Sequence, residues 1–215
     1  MAAKNAGYLL PIRLNNKGAE LLSQGKLLES RVLFIKALTC TKIITIALQK
    51  HPPRITKPVR MEYHFLTTIP TCIDSEAFMF KRPIQILEKK ELEHCKAMAG
   101  DIASAVIFNV SLGFHCQGLQ ESQHLTKAIN GYEIALNLRK HKKRAVSKLF
   151  DLGLLNNIAE VHLERSAYES AVPYFANMAY LLKQQDNVEL LVDQAELDGF
   201  TTGAIWRVPM CAHVA

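Results

Sequence analysis

Three asparagines stand at equivalent places in three similar stretches of the chain. Asn16, Asn109 and Asn157 each precede a small residue by two positions, namely Gly18, Ser111 and Ala159. A carboxamide donates and accepts hydrogen bonds at once, so such a row can hold the backbone of an extended peptide whatever its side chains. The alternative is internal, with the amides bonding inside the fold that carries them. The adjacent pairs His94–Cys95 and His115–Cys116 are the other candidates for chemistry. Neighbours on a helix point about 100° apart, whereas a Cys–His nucleophile needs its two members facing each other. Zinc ligands usually come in spacings such as C-x-x-C or H-x-x-x-H, and neither occurs here. No Gly-rich phosphate loop is present either. The chain is expected to perform no catalysis and to need no metal or cofactor.

Charge gives a further candidate site. The chain has 26 Lys and Arg against 20 Asp and Glu, a net charge of +6. Arg139, Lys140, Lys142, Lys143, Arg144 and Lys148 account for that excess, with no acid among them. A solvated helix end is one reading, since cations favour the C-terminal dipole. Nuclear import or an acidic partner is another. Nucleic-acid binding is disfavoured, because aromatic residues do not interleave the cluster as stacking platforms require.

The elements that position these residues follow from a repeat. Counting from Gly18, Gly25 lies seven residues on, Ser30 twelve, Phe34 sixteen and Ala37 nineteen. Counting from Ala159, Ser166, Ala171, Phe175 and Met178 fall at the same offsets. From Ser111, Gly118 keeps its place, and Ala128, Tyr132 and Ala135 arrive five residues late together. One insertion in a connecting loop explains that lag. Leu14, Ile107 and Leu155 precede the origins by four. The spacing predicts pairs of antiparallel helices, repeated along the chain. Small residues at the origins let the partner helix approach, and Gly25 and Gly118 suit turns that need φ > 0. Leu14, Lys17, Gly18 and Leu21 trace the inner face expected of the first helix, with Lys17 out of pattern.

This spacing resembles the tetratricopeptide repeat family, which has a small residue, a turn glycine and then an alanine–aromatic–alanine series. The resemblance covers residues 12–38, 104–136 and 152–182. It implies a mostly α fold, a right-handed stack of helical hairpins (an α-solenoid), here carrying a β-hairpin-like insertion. It also implies that Asn16, Asn109 and Asn157 line a concave groove that binds a peptide or helix of a partner protein. Some members clamp a C-terminal carboxylate with cations on the same face. Ile12 and Gly153 stand one turn before Asn16 and Asn157, so that clamp is missing and acidic chaperone tails are not expected ligands. The expected function is a protein-interaction module or scaffold, the alternative a nucleic-acid or acidic-surface binder using residues 139–148, and the third an enzyme. Partner and oligomeric state are not specified by these residues.

The remaining segments fit one domain over residues 1–215, with 49% apolar content to fill a core. Residues 39–100 do not repeat. TKIITIALQK continues the preceding helix, and His51-Pro52-Pro53 and Pro58 end it. Met61, Tyr63 and Phe65, then Phe78, Phe80, Ile84 and Ile86, alternate as two strand arms around the loop TTIPTCIDSE, the alternative being a mobile loop. EKKELEHCKAM then returns to helix. Read as an accessory, residues 52–88 would be removable without unfolding the stack. In 183–215, Asp186 or Asn187 caps a last helix, VELLVDQAEL, that shields the open end. The tail from Asp198 is expected to be irregular, with Phe200 and Trp206 packing back. Pro173 falls inside the last paired helix and either kinks it or is tolerated near its start. Five scattered cysteines, Cys40, Cys72, Cys95, Cys116 and Cys211, point to a reducing compartment. No secretory signal and no stretch long and apolar enough to cross a membrane are expected. The expected location is the cytoplasm, with nuclear entry open.

Overall fold

In a computed structural model the chain is mostly helical, with one small two-stranded sheet. The structure describes residues 9–50, 61–67, 69, 79–88, 98–140, 147–183 and 194–213. The elements run α1 (Leu9–Ser23), α2 (Leu27–Lys50), β1 (Tyr63–Phe65), β2 (Ile84–Ile86), α3 (Met98–Gly118), α4 (Gln123–Lys140), α5 (Lys148–Glu164), α6 (Tyr168–Lys183) and α7 (Gln194–His213). Each helix packs on the next in the chain, and α1 and α3 also meet β2.

The connections within the first and third hairpins are built alike. Gly25 and Ser166 take φ of 76° and 57°. Each is followed by an amide reaching back five residues, Lys26 N to Leu21 O at 2.9 Å and Ala167 N to His162 O at 2.8 Å. That is a helix stop closed by a left-handed residue. Ser166 therefore does the work of a glycine at the cost of a strained backbone. Gly118 does not share this geometry. It ends α3 inside the helix, where an added Cβ would collide with Leu125. The five-residue lag of the second copy is correspondingly spread over a longer α3, a longer connection and the start of α4, rather than placed in one loop.

Burial in α1 falls on Pro11, Ile12, Asn15, Gly18, Ala19 and Leu22. Lys17 is exposed and pairs with Glu20 at 2.9 Å. The inner face is thus rotated by about one residue from the one expected, and Lys17 no longer conflicts with it. Phe34, Tyr132 and Phe175 are all buried, as are Ala37, Ala128, Ala135 and Ala171. The small origin at Gly18 has the Phe34 ring against it, 2.6 Å from where a Cβ would stand. α6 continues as helix through Pro173.

Three further expectations need correction. The segment around the sheet is not an accessory. Phe65, Ile69, Met79, Phe80, Ile84 and Ile86 belong to the same buried core as the helices. The last helix extends further toward the C-terminus: residues from Asp198 on, expected to be irregular, lie within α7. Phe200 and Ala204 are buried there, so packing on α6 overrides the weak helix propensity of Thr201, Thr202 and Gly203. Most of VELLVDQAEL, with Asp186, Asn187 and the side chain of Trp206, lies outside the description, as do most of the loop TTIPTCIDSE and residues 89–97. Finally, Ala99–Gly118 is long and apolar enough to cross a membrane by length and composition, and most of it is buried inside the protein. Its position explains the composition, because α3 packs on α1, α2, α4 and β2 and is left no wholly polar face.

Candidate functional site: a row of asparagines on one strand

β1 and β2 pair antiparallel, with Tyr63 opposite Ile86, His64 opposite Gln85 and Phe65 opposite Ile84. Beyond the paired residues, Leu66 N donates to Pro83 O (2.8 Å), Ile69 N to Lys81 O (3.2 Å) and Leu87 N to Glu62 O (3.0 Å). Along a strand, backbone groups point alternately to the two edges. The odd-numbered residues serve β1 and its continuations. The even-numbered residues present N–H and C=O to the other edge, where no strand waits among the described residues.

The three asparagines occupy that edge. Asn16 on α1 accepts from Ile86 N through Oδ1 and donates to Ile86 O through Nδ2, both at 2.8 Å. Asn109 on α3 makes the same pair with Ile84, both at 2.8 Å. Asn157 on α5 accepts from Phe80 N at 2.8 Å and donates to Phe80 O at 3.0 Å. Each amide thus takes both backbone groups of one residue. The amide orientations are fixed by this pattern, because an N–H requires the oxygen and a C=O requires the nitrogen. The spacing of two and four residues keeps strand parity. Two residues span about 7 Å and four about 13 Å of strand.

Asn15 joins the row without having been anticipated. Its Nδ2 donates to Ile84 O at 3.0 Å, and its Oδ1 accepts from Asn109 Nδ2 at 3.0 Å. The signal for it was the doublet Asn15–Asn16, matched by Asn156–Asn157 in the third copy. Asn157 also donates to the Tyr132 hydroxyl at 3.2 Å, which lies 3.5 Å from His115 Nδ1. His115 Nε2 is in turn 3.2 Å from Glu164 Oε2. A His115 tautomer protonated on Nε2 satisfies both contacts. The His115–Cys116 pair is therefore absorbed into packing and a buried hydrogen-bond chain. Cys116 is buried and Cys40 half-buried. His94, Cys95 and Cys72 lie outside the described residues, as does the side chain of Cys211 on α7. Among the described residues, no group of three His, Cys, Asp or Glu is placed to hold a metal ion.

Side chains of the strand fill shape as well as bonds. The Phe80 ring sits against Gly153, where a Cβ would be 2.5 Å from Phe80 Cδ1. The absence of a side chain one turn before Asn157 makes the recess that the ring enters. Phe65, Phe108 and Phe200 surround it, with ring centroids 5.8, 6.4 and 5.6 Å away. Arg82 locks the ribbon from outside, donating to Leu66 O (3.0 Å), Phe65 O (2.9 Å) and Glu196 Oε2 on α7 (3.0 Å).

Of the basic run, Arg139 departs from the solvated surface expected of it. Arg139 is buried, donates to Asp151 Oδ1 at 2.5 Å and to Ser147 O at 3.3 Å, and lies 3.9 Å from the Phe150 ring centroid. Burial pushes the Asp151 carboxyl above its ordinary range, and the adjacent guanidinium opposes that rise without cancelling it. Arg139 is thus a core ion pair joining α4 to α5, not one of a set of solvated cations. Lys148 is exposed at the start of α5. Lys142, Lys143 and Arg144 lie outside the described residues, as does the side chain of Lys140.

Comparison with known protein families, with curated proteins and with solved structures gives no match.

Proposed function

We propose that this protein is a non-catalytic protein-interaction module, a right-handed stack of three tetratricopeptide-like hairpins whose groove recognises extended backbone. The supporting observation is that Asn16, Asn109 and Asn157, one from each first helix, take the N–H and C=O of Ile86, Ile84 and Phe80. A site that bonds main chain in this way selects conformation first and side chains second. In this state its occupant is the chain's own segment Met79–Glu88. A partner peptide enters by exchange with that segment and offers a large apolar residue to the Gly153 recess.

The test is complementation in trans. The full chain carrying Ile84→Ala and Ile86→Ala holds its own segment less tightly. It should bind an added peptide MFKRPIQILE, followed by fluorescence anisotropy. N-methylation of the peptide at the Ile84 amide removes the donor to Asn109 and should weaken binding by up to about tenfold. A peptide that fails to bind the double variant, or binds equally well when methylated, rules the reading out.

A further inference from the structure

α2 carries an apolar stripe that the fold leaves uncovered. Leu28, Val32, Ile35, Ile43 and Ile46 are 64, 52, 56, 61 and 44% exposed. With the exposed Thr39 they advance in steps of three and four residues. At about 100° per residue the stripe lies opposite the face that buries Phe34 and Ala37. The hairpin architecture does not demand it. By the repeat offsets, the places of Leu28, Val32 and Ile35 are held by Thr126, Asn130 and Glu133 on α4 and by Glu169, Pro173 and Ala176 on α6. α4 presents no such apolar row, and α6 presents no branched aliphatic residue at these places.

Apart from the exposed Glu29 in the first turn of α2, the charge beside the stripe is of one sign. From Ser30 to Lys50 the sequence has no acid. Lys36 and Lys42 are exposed and fall on either side of the stripe. We propose that the outer face of α2 is a docking surface for one amphipathic helix of a partner protein, carrying carboxylates on both flanks of its apolar seam. Steps of three and four are those of a helix–helix seam, and Leu28 to Ile46 spans about 27 Å, or five turns. A second copy of this chain would bring lysines against lysines. An anionic lipid surface fits less well, because the stripe is aliphatic and lacks the Trp or Phe that anchors interfacial helices.

The intact protein is used to select from a displayed library of random helical peptides about 20 residues long, enough for the five turns of the stripe. Recovered peptides should carry an apolar seam flanked by Glu and Asp. Ile35→Glu should weaken their binding about tenfold or more. The variant with Lys36→Glu and Lys42→Glu should instead select Lys- and Arg-flanked peptides. Both variants should melt with the parent, since the changes are on the surface. The peptide MFKRPIQILE should not compete, which separates this surface from the asparagine row. Peptides without an acidic flank, or indifferent to Ile35→Glu, overturn the proposal. So does flotation with phosphatidylserine vesicles, or a dimer in sedimentation, that Ile35→Glu abolishes; these assign the stripe to lipid or to a second copy.

Discussion

At the residue scale, the asparagines hold the backbone of the chain's own strand. From sequence alone, Asn109→Ala is expected to weaken partner binding with little loss of stability. The geometry replaces that expectation. Removing the amide leaves the buried Ile84 N–H without its acceptor, while Ile84 O keeps Asn15. The variant should lose about 1–3 kcal/mol in denaturant unfolding. Asn109→Asp should be worse, because it points a carboxylate oxygen at Ile84 O and buries a charge. Equal stability of the two variants would contradict this reading of the amide. His162 supplies a pH-dependent contribution. Burial lowers its pKa, and its Nδ1 is buried with no hydrogen-bond partner among the described residues. As pH falls below about 6.5, the unfolded chain takes up a proton before the folded one does, so stability is lost toward acid. Melting at pH 7.5 and 5.5 should therefore differ less in His162→Gln than in the parent.

At the scale of elements, the three hairpins were legible because small residues, turn residues and aromatics repeat at fixed offsets. The strand was legible only as an alternating pattern. Its destination was not, since nothing local in FMFKRPIQI says that its free edge meets side chains 25 to 77 residues away in sequence. The asparagines were found from the repeat, while Asn15 was passed over because the second copy has Phe108 in its place. Arg139 was misread because a run of cations looks solvated, and a single buried partner, Asp151, cannot be seen from the run itself. Gly153 shows how the elements interlock. Glycine to alanine inside a helix normally gains about 0.5–1 kcal/mol, yet here the new methyl meets a ring enclosed by three others. Gly153→Ala should instead cost about 1–3 kcal/mol through overpacking. A variant that melts higher than the parent would show that Phe80 can move aside. Ala171→Leu, at the buried contact of α5 with α6, should cost about as much.

At the scale of the whole molecule, the chain crosses its own middle. Segment 79–88 contacts α1, which precedes it, and α3 and α5, which follow it. Helices at both ends of the sequence are thereby joined through one strand, and unfolding should be a single transition. Removing residues 61–88 and closing the gap with a flexible linker should abolish that cooperativity, because loop closure is cheap but the loss of Phe80, Ile84 and Ile86 opens the core. Coincident, sharp transitions by fluorescence and circular dichroism in the deletion would return the segment to the role of an accessory.

The side-chain amides also do for β2 what another strand would otherwise do. A two-stranded ribbon has two outer edges, and an edge bearing Ile-Gln-Ile is a template for pairing with another chain. Asn16 and Asn109 close that edge with their own carboxamides. Replacing Asn16, Asn109 and Asn157 together should therefore yield a chain that assembles with itself as its concentration rises, beyond any loss of stability. Light scattering during refolding would detect this, and added MFKRPIQILE should accelerate it by supplying further strands.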